Sequence, residues 1–215
     1  MRHHRLTERE VAINRQDALT GARNLIIDLP DDIRQEAFHT ASSFMLGERK
    51  GSHLDDELTG TPHRLSSFKI SMGSTSLRGP ALLLAAASAT TPEEHAWARD
   101  QAIILLRSED AADVHAAAQV LSYLPQEATD AVDANLLAAH PHNSVRQASA
   151  VLCLRHPTRY RSTTMQLATD KDFRVRRTLA QAAAQADDSE PTAAVLDLLA
   201  HDRRHSVRAA AHSCT

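Results

Sequence analysis

The chain repeats one arrangement of polar and apolar positions: a short polar turn, a Val-Arg pair or a variant of it, and then small residues and leucines. The arrangement is clearest at His142-Asn-Ser-Val145-Arg146-Gln-Ala-Ser-Ala-Val-Leu152. Equivalent anchor positions are Ile33, Leu77, Val114, Val145, Val175 and Val207, with intervals that shorten from 44 residues to 30–32. Each anchor is predicted to open a helix, which we call helix A.

Prolines give an independent period. Pro92, Pro125, Pro157 and Pro191 are 32–34 residues apart and each follows an anchor. Because proline suits the first turn of a helix, we predict a second helix, helix B, that begins near each proline. Hydroxyl and acidic residues beside the predicted starts are candidate caps: Ser144 and Ser206 for helix A, and Thr91 and Glu190 for helix B.

The composition favours helices alone. All six glycines lie at or before Gly79, so the rest of the chain lacks the residue that hairpins and phosphate-binding loops need. Alanine clusters are expected to let helices pack closely, and leucine and valine to fill the space between layers. The residues predicted for this apolar stripe are Val120, Leu121, Leu136, Leu137, Val151, Leu152, Val195, Leu198 and Leu199.

A two-helix unit that repeats every 30–35 residues is typical of an α-solenoid. The pattern Asp-x-x-x-x-Val-Arg-x-x-Ala, at Asp170…Val175-Arg176 and Asp202…Val207-Arg208, resembles HEAT repeats of the short bacterial type. The resemblance implies an all-α fold, a right-handed α-solenoid of stacked two-helix repeats. His115 stands in the arginine place and His140 and Glu109 in the aspartate place, so the earlier units depart from the pattern.

Three segments are predicted. Residues 1–46 form N-terminal helices of a degenerate repeat, residues 47–74 form a flexible inserted loop, and residues 75–215 form the HEAT-like repeat domain. The loop holds four of the six glycines and the acidic cluster Asp55-Asp56-Glu57. Long loops of this kind are often functional. If the loop contacts a partner or a ligand, the candidate residues are His63, Arg64, Phe68 and Lys69. The alternative is a surface loop without a binding function.

The arginines at the repeat position, Arg146, Arg176 and Arg208, allow two interpretations. They form a row that faces an anionic ligand, or a structural ladder in which each pairs with an acid at a repeat start, namely Asp170, Asp172 or Asp202. In proteins with HEAT-like repeats this arginine is mostly structural, and the resemblance therefore favours the ladder.

Charge is arranged in blocks. Residues 108–145 hold six acidic residues and neither Lys nor Arg, whereas residues 146–177 hold seven arginines and Lys171 against two aspartates. The two blocks either neutralise each other at their boundary or leave a basic surface for an acidic partner or a phosphate backbone. The candidate partner-binding residues are Arg155, Arg159, Arg161, Arg174 and Arg177.

No catalytic, cofactor or metal site is predicted. The histidine pairs at 140/142 and 201/205 have no further ligands at metal-binding spacing, and the chain contains no Gly-x-Ser-x-Gly or Cys-His arrangement. The first residues carry no apolar segment like that of a signal peptide, and the apolar run Ala81–Ala87 is far shorter than the ~20 residues of a membrane span. A cytoplasmic protein is expected.

The leading hypothesis is a non-catalytic scaffold or adaptor that binds a partner protein. The alternative is a HEAT-like DNA-binding or DNA-glycosylase-type protein that uses the basic block 146–177, with Tyr160 between Arg159 and Arg161 as its one suggestive aromatic residue. The slightly negative net charge, −3, is unlike that of a dedicated nucleic-acid binder. The last unit reaches only eight residues past Val207. Either its helix packs without a helix B, or a partner covers it, or the sequence is a fragment of a longer repeat array.

Overall fold

The structure, a computed structural model, describes residues 29–45, 78–186 and 189–213. Within these ranges every regular element is a helix, which confirms the all-α class. The chain divides into two compact units, Met1–Leu124 and Pro125–Thr215, so the division falls inside the segment predicted as one repeat domain. Residues 1–28 of the predicted N-terminal helices, the predicted loop 47–74 and the boundaries at 46 and 74 lie outside the described residues.

The N-terminal unit contains four described helices in two layers. Helix α2 packs on α1 and on α4, and α3 lies against both α2 and α4. Helices α1, α2 and α4 are therefore of type A, and α3 is the helix of type B between α2 and α4. Their bounds are Asp31–Met45 for α1, Arg78–Ser88 for α2, Pro92–Leu105 for α3 and Ala111–Tyr123 for α4.

The C-terminal unit stacks its helices in two parallel layers. In the A layer α7 packs on α9 and α9 on α11, while in the B layer α6 packs on α8 and α8 on α10. The B helix that opens the unit is split into two short pieces, α5 and α6. The bounds are Gln126–Thr129 for α5, Ala134–Ala138 for α6, Asn143–Arg155 for α7, Arg161–Ala168 for α8, Phe173–Gln185 for α9, Glu190–Ala200 for α10 and His205–Ala211 for α11.

Prolines mark the starts of the B helices to different degrees. Pro92 is the first residue of α3, and Pro191 lies in the first turn of α10. Pro125 directly precedes α5. Pro157 lies in the turn before α8, four residues ahead of its start at Arg161. The proline period therefore locates the B helices, but their first residues vary.

Some helix caps agree with the sequence and others do not. The Thr91 side chain accepts from the backbone N of Glu94, whose carboxylate accepts from the backbone N of Thr91 in return, so α3 begins with a capping box. The prediction for Ser144 and Ser206 was wrong. These serines lie inside the first turns of α7 and α11, whose N-cap residues are His142 and Arg204.

The core consists mainly of alanine, leucine and valine. The prediction that Leu136 and Leu198 belong to it was wrong, because their side chains are 73% and 39% exposed. Their neighbours Leu137 and Leu199 are buried instead. Consecutive helical residues point about 100° apart, so only one leucine of each pair can face the A layer.

Candidate functional site

The arginine of the Val-Arg pair contacts an aspartate of the following repeat. Arg146 donates from Nε to Asp170 Oδ2 at 2.7 Å and from Nη2 to Oδ1 at 3.1 Å. Arg176 contacts Asp202 in the same way, at 2.6 and 3.2 Å. The four side chains are at most 10% exposed. These two-point contacts tie one repeat to the next and leave little of either guanidinium for a ligand.

A second set of hydrogen bonds ties the same arginines to the backbone of their own repeats. Nη1 donates to the carbonyl oxygen six residues upstream, which belongs to His140 for Arg146, to Asp170 for Arg176 and to Asp202 for Arg208. The distances are 3.0, 2.5 and 2.7 Å. All three arginines therefore make the same backbone contact, and Arg146 and Arg176 add the ion pair of the ladder.

The ladder aspartates also order the turns before the A helices. Asp170 accepts from the backbone N of Asp172 at 2.8 Å, and Asp202 accepts from that of Arg204 at 2.7 Å. The hydrogen bonds from Arg176 hold the pKa of Asp202 below its usual range, although burial acts in the opposite direction. The Asp170 carboxylate raises the pKa of Arg146. Asp202 and Arg146 are therefore stabilised in their charged forms by their ladder partners.

Three of the candidate partner-binding arginines lie where helix A leads into helix B, which we call the A-to-B end. Arg155 donates to Thr129 Oγ1 at 2.5 Å, and burial lowers its pKa. Arg161 forms an exposed ion pair with Glu190 at 2.7 Å. The Arg159 guanidinium lies 4.9 Å from the centre of the Tyr160 ring. The acidic residues Glu127, Asp130 and Asp133 belong to the same end, so its charges are mixed.

The other two candidates, Arg174 and Arg177, lie at the opposite end, where helix B leads into helix A. We call this the B-to-A end. Helix α8 has eight residues and separates the two ends by about 12 Å along its axis. The structure therefore does not bring the five arginines together. It also buries Tyr160 to 4% exposure, so this ring is not presented for stacking on a base.

The B-to-A end of the C-terminal unit carries, beside the predicted Arg174, further exposed cations that the sequence did not single out as candidates. Exposed side chains of Lys171, Arg174, Arg203 and Arg204 lie at two successive turns. The half-buried Phe173 ring lies between two of them, with the guanidinium of Arg174 at 5.7 Å and that of Arg204 at 5.5 Å from its centre. We call these four cations and Phe173 the turn surface. Their common position relative to the Asp residues of the repeat is the signal that could have found them.

The outer face of the B layer carries a row of exposed apolar side chains. Leu136 on α6, Met165 on α8 and Leu198 on α10 are 73%, 38% and 39% exposed. The three helices pack in succession, and we call these residues the aliphatic row. Met165 and Leu198 lie three and two residues before the ends of α8 and α10, and these two helices lead into the turns that carry the turn surface.

Among the described residues, no group of three or more His, Cys, Asp or Glu side chains is placed to hold a metal ion. Cys153 is a buried free thiol whose pKa is raised to about 11 by burial. A thiol of this kind is a poor nucleophile. In the part of the chain that the structure describes, no helix is long and apolar enough to cross a membrane.

Comparison with known proteins agrees with this geometry. Residues 134–214 match the family model for HEAT repeats. The match extends from the start of α6 past the end of α11, so the C-terminal unit is a stack of HEAT repeats of the α-solenoid class. The chain thus carries the repeat that its Asp-x-x-x-x-Val-Arg motif resembles. No curated protein and no solved structure matches the chain.

Proposed function

We propose that the chain is a non-catalytic scaffold or adaptor that binds a partner protein through the outer face of its B helices. HEAT repeats are commonly protein-interaction scaffolds, because stacked repeats present an extended surface to one partner. The proposal is specific about where on the C-terminal unit the partner lies.

The observation that carries the proposal is the aliphatic row. Single exposed apolar residues are ordinary on protein surfaces, but apolar residues on successive packed helices mark an interaction surface. Several neighbouring exposed positions on these helices are small or uncharged, among them Asn135, Gln166 and Ala194, although Asp197 beside Leu198 is charged. A partner that covers the row therefore removes apolar area from water without having to desolvate many charges.

The candidate DNA-binding function has weaker support. A basic groove for duplex DNA needs its cations on one surface, whereas the predicted arginines are divided between two ends of the unit. Two of them, Arg155 and Arg161, already have partners. The buried Tyr160 ring likewise gives this function no support.

Changing the row is expected to weaken capture of the partner without unfolding the protein. We expect Leu136→Ser with Leu198→Ser to reduce the affinity for the captured protein about tenfold, because central apolar contacts supply much of the binding energy. The melting temperature should change little, since both side chains are largely exposed. Affinity capture from source-cell extract with quantitative mass spectrometry, followed by titration of the recovered protein, measures this effect.

The matched control is Ile103→Ser with Ile104→Ser, which removes two exposed aliphatic side chains from α3 of the N-terminal unit, outside the row. We expect this variant to capture the partner as the wild type does. Equal loss in both variants, or undiminished capture by the leucine variant, would remove the row as the binding site.

A further inference from the structure

We infer that the turn surface binds an acidic polypeptide segment of the partner, one that carries carboxylates beside apolar side chains. This inference rests on the proposed function, since the acidic segment belongs to the protein that covers the aliphatic row. The inference is carried by one juxtaposition. A cluster of cations without matching carboxylates lies in the turns that follow α8 and α10, and these helices also expose Met165 and Leu198 of the row.

The cations of the turn surface are not engaged in ion pairs with carboxylates of the fold. Within residues 29–45, 78–186 and 189–213, the side chains of Lys171, Arg174, Arg203 and Arg204 form no ion pair. The nearest carboxylates of the ladder are those of Asp170 and Asp202, and they form ion pairs with Arg146 and Arg176. The ladder thus removes the local negative charge and leaves the exposed positive charge in excess.

Asp172 is the other carboxylate at this end, and it too is occupied. It accepts from Asn143 Nδ2 at 2.5 Å and from the backbone N of Arg174 at 2.9 Å. Burial raises its pKa, but these hydrogen bonds and the nearby guanidinium groups outweigh that effect and the pKa is lowered overall. Asp172 caps α9. It therefore works within the fold and only partly offsets the four cations.

Phe173 limits the motion of two of these cations. Because Arg174 and Arg204 come from successive repeats and both lie within 6 Å of one ring centre, the ring draws them together by cation–π attraction. Each of the two guanidinium groups presents a fork of donors that suits a carboxylate. The loss of side-chain freedom on binding is smaller for groups that are already held.

A polypeptide suits this surface better than a nucleic acid. The cations follow the helices that expose Met165 and Leu198 of the aliphatic row, which offers apolar side chains of a peptide a contact that a sugar-phosphate backbone does not use. The only aromatic ring of the turn surface is half-buried and lies beside two arginines, which leaves little of it for stacking on bases. The A-to-B end, with Glu127 and Asp130 exposed, also disfavours a long polyanion wrapped along the unit.

The test is a binding titration of the full chain with a fluorescein-labelled peptide of glutamate, leucine and serine. The same peptide with glutamine in place of every glutamate serves as the uncharged probe, and a labelled DNA duplex serves as the nucleic-acid probe. We expect the acidic peptide to bind most tightly and to weaken as salt is raised. Arg174→Glu with Arg204→Glu should weaken its binding about tenfold or more.

Two further variants separate surface charge from folding. Arg159→Glu with Arg161→Glu makes the same change of charge at the A-to-B end and should change binding less than about twofold. Arg174→Lys with Arg204→Lys keeps the charge and should retain most of the binding. Circular dichroism melts of all variants establish that each is folded. Glutamate at positions 174 and 204, near the starts of α9 and α11, is compatible with the helix dipole.

Several results would overturn the inference: equal binding of the glutamine peptide, equal loss in the control at the A-to-B end, or no binding of the acidic peptide at about 100 μM protein, where even a weak complex is populated. Tighter binding of the DNA duplex with loss in the Arg174/Arg204 variant would assign the surface to nucleic acid instead. If capture of the partner still depends on Leu136 and Leu198 while the peptide test fails, the inference fails and the proposed function stands.

Discussion

Arg176→Met is expected to lower the free energy of unfolding of the C-terminal unit by about 3–5 kcal/mol, because it leaves the buried Asp202 carboxylate without its guanidinium partner. The loss includes the hydrogen bond from Arg176 Nη1 to the carbonyl oxygen of Asp170. Urea denaturation followed by far-ultraviolet circular dichroism measures the change. The effect is large because the pair is nearly inaccessible to water.

Two variants establish the cause. Arg176→Met with Asp202→Asn should recover much of the loss, since no charge is then buried alone and asparagine still accepts from the backbone N of Arg204. Arg161→Met removes an exposed ion pair with Glu190 and should cost only about 0–1 kcal/mol. If Arg176→Met costs no more than Arg161→Met, the ladder does not stabilise the stack.

Gly79→Ala is expected to destabilise the N-terminal unit by about 1–3 kcal/mol, against the direction that helix propensity favours. Propensity alone would stabilise α2 by up to about 1 kcal/mol. A methyl group at this position, however, would lie 3.0 Å from Asp113 Oδ1 and 3.2 Å from Ala116 Cβ. Helix α2 would then have to move away from α4. A thermal melt measures the sign directly.

The contact in question is a buried helix cap between repeats. The backbone N of Gly79 donates to Asp113 Oδ1 at 3.0 Å, and Ser108 Oγ donates to Oδ2 at 3.2 Å. Burial raises the pKa of Asp113, and the hydrogen bonds oppose this only in part. In an Asp113→Ala background the cost of Gly79→Ala should shrink, because one of the two close neighbours is gone. A stabilising effect of Gly79→Ala in the wild type would contradict the close packing.

The sequence predicts well those contacts that depend on the repeat period. Any stack that places each repeat directly on the one before it brings together Arg146 with Asp170 and Arg176 with Asp202. Positions within one repeat are harder to predict. Leu136 and Leu137 are equally apolar, and only the direction of α6 relative to α7 decides which is buried.

The positions of the charged residues within a repeat were equally hard to predict from the sequence. Arg161 and Arg174 are 13 positions apart and belong to one basic block, yet helix α8 carries the chain from one end of the unit to the other between them. Ser144 and Ser206 resemble caps, but the chain becomes helical one residue earlier, at Asn143 and His205. Charge counted along the chain therefore predicts net charge correctly, but it does not predict which residues share a surface.

The most direct test of the proposed binding surface is hydrogen–deuterium exchange of the full chain with and without the captured partner. The expected result is slower exchange in α6, α8 and α10 and in the turns at 169–172 and 201–204, with α7 and α9 little changed. Backbone amides at a covered surface lose access to solvent and open less often. Protection confined to the A helices, or to the A-to-B end at 156–160, would contradict a partner bound on the outer face of the B helices.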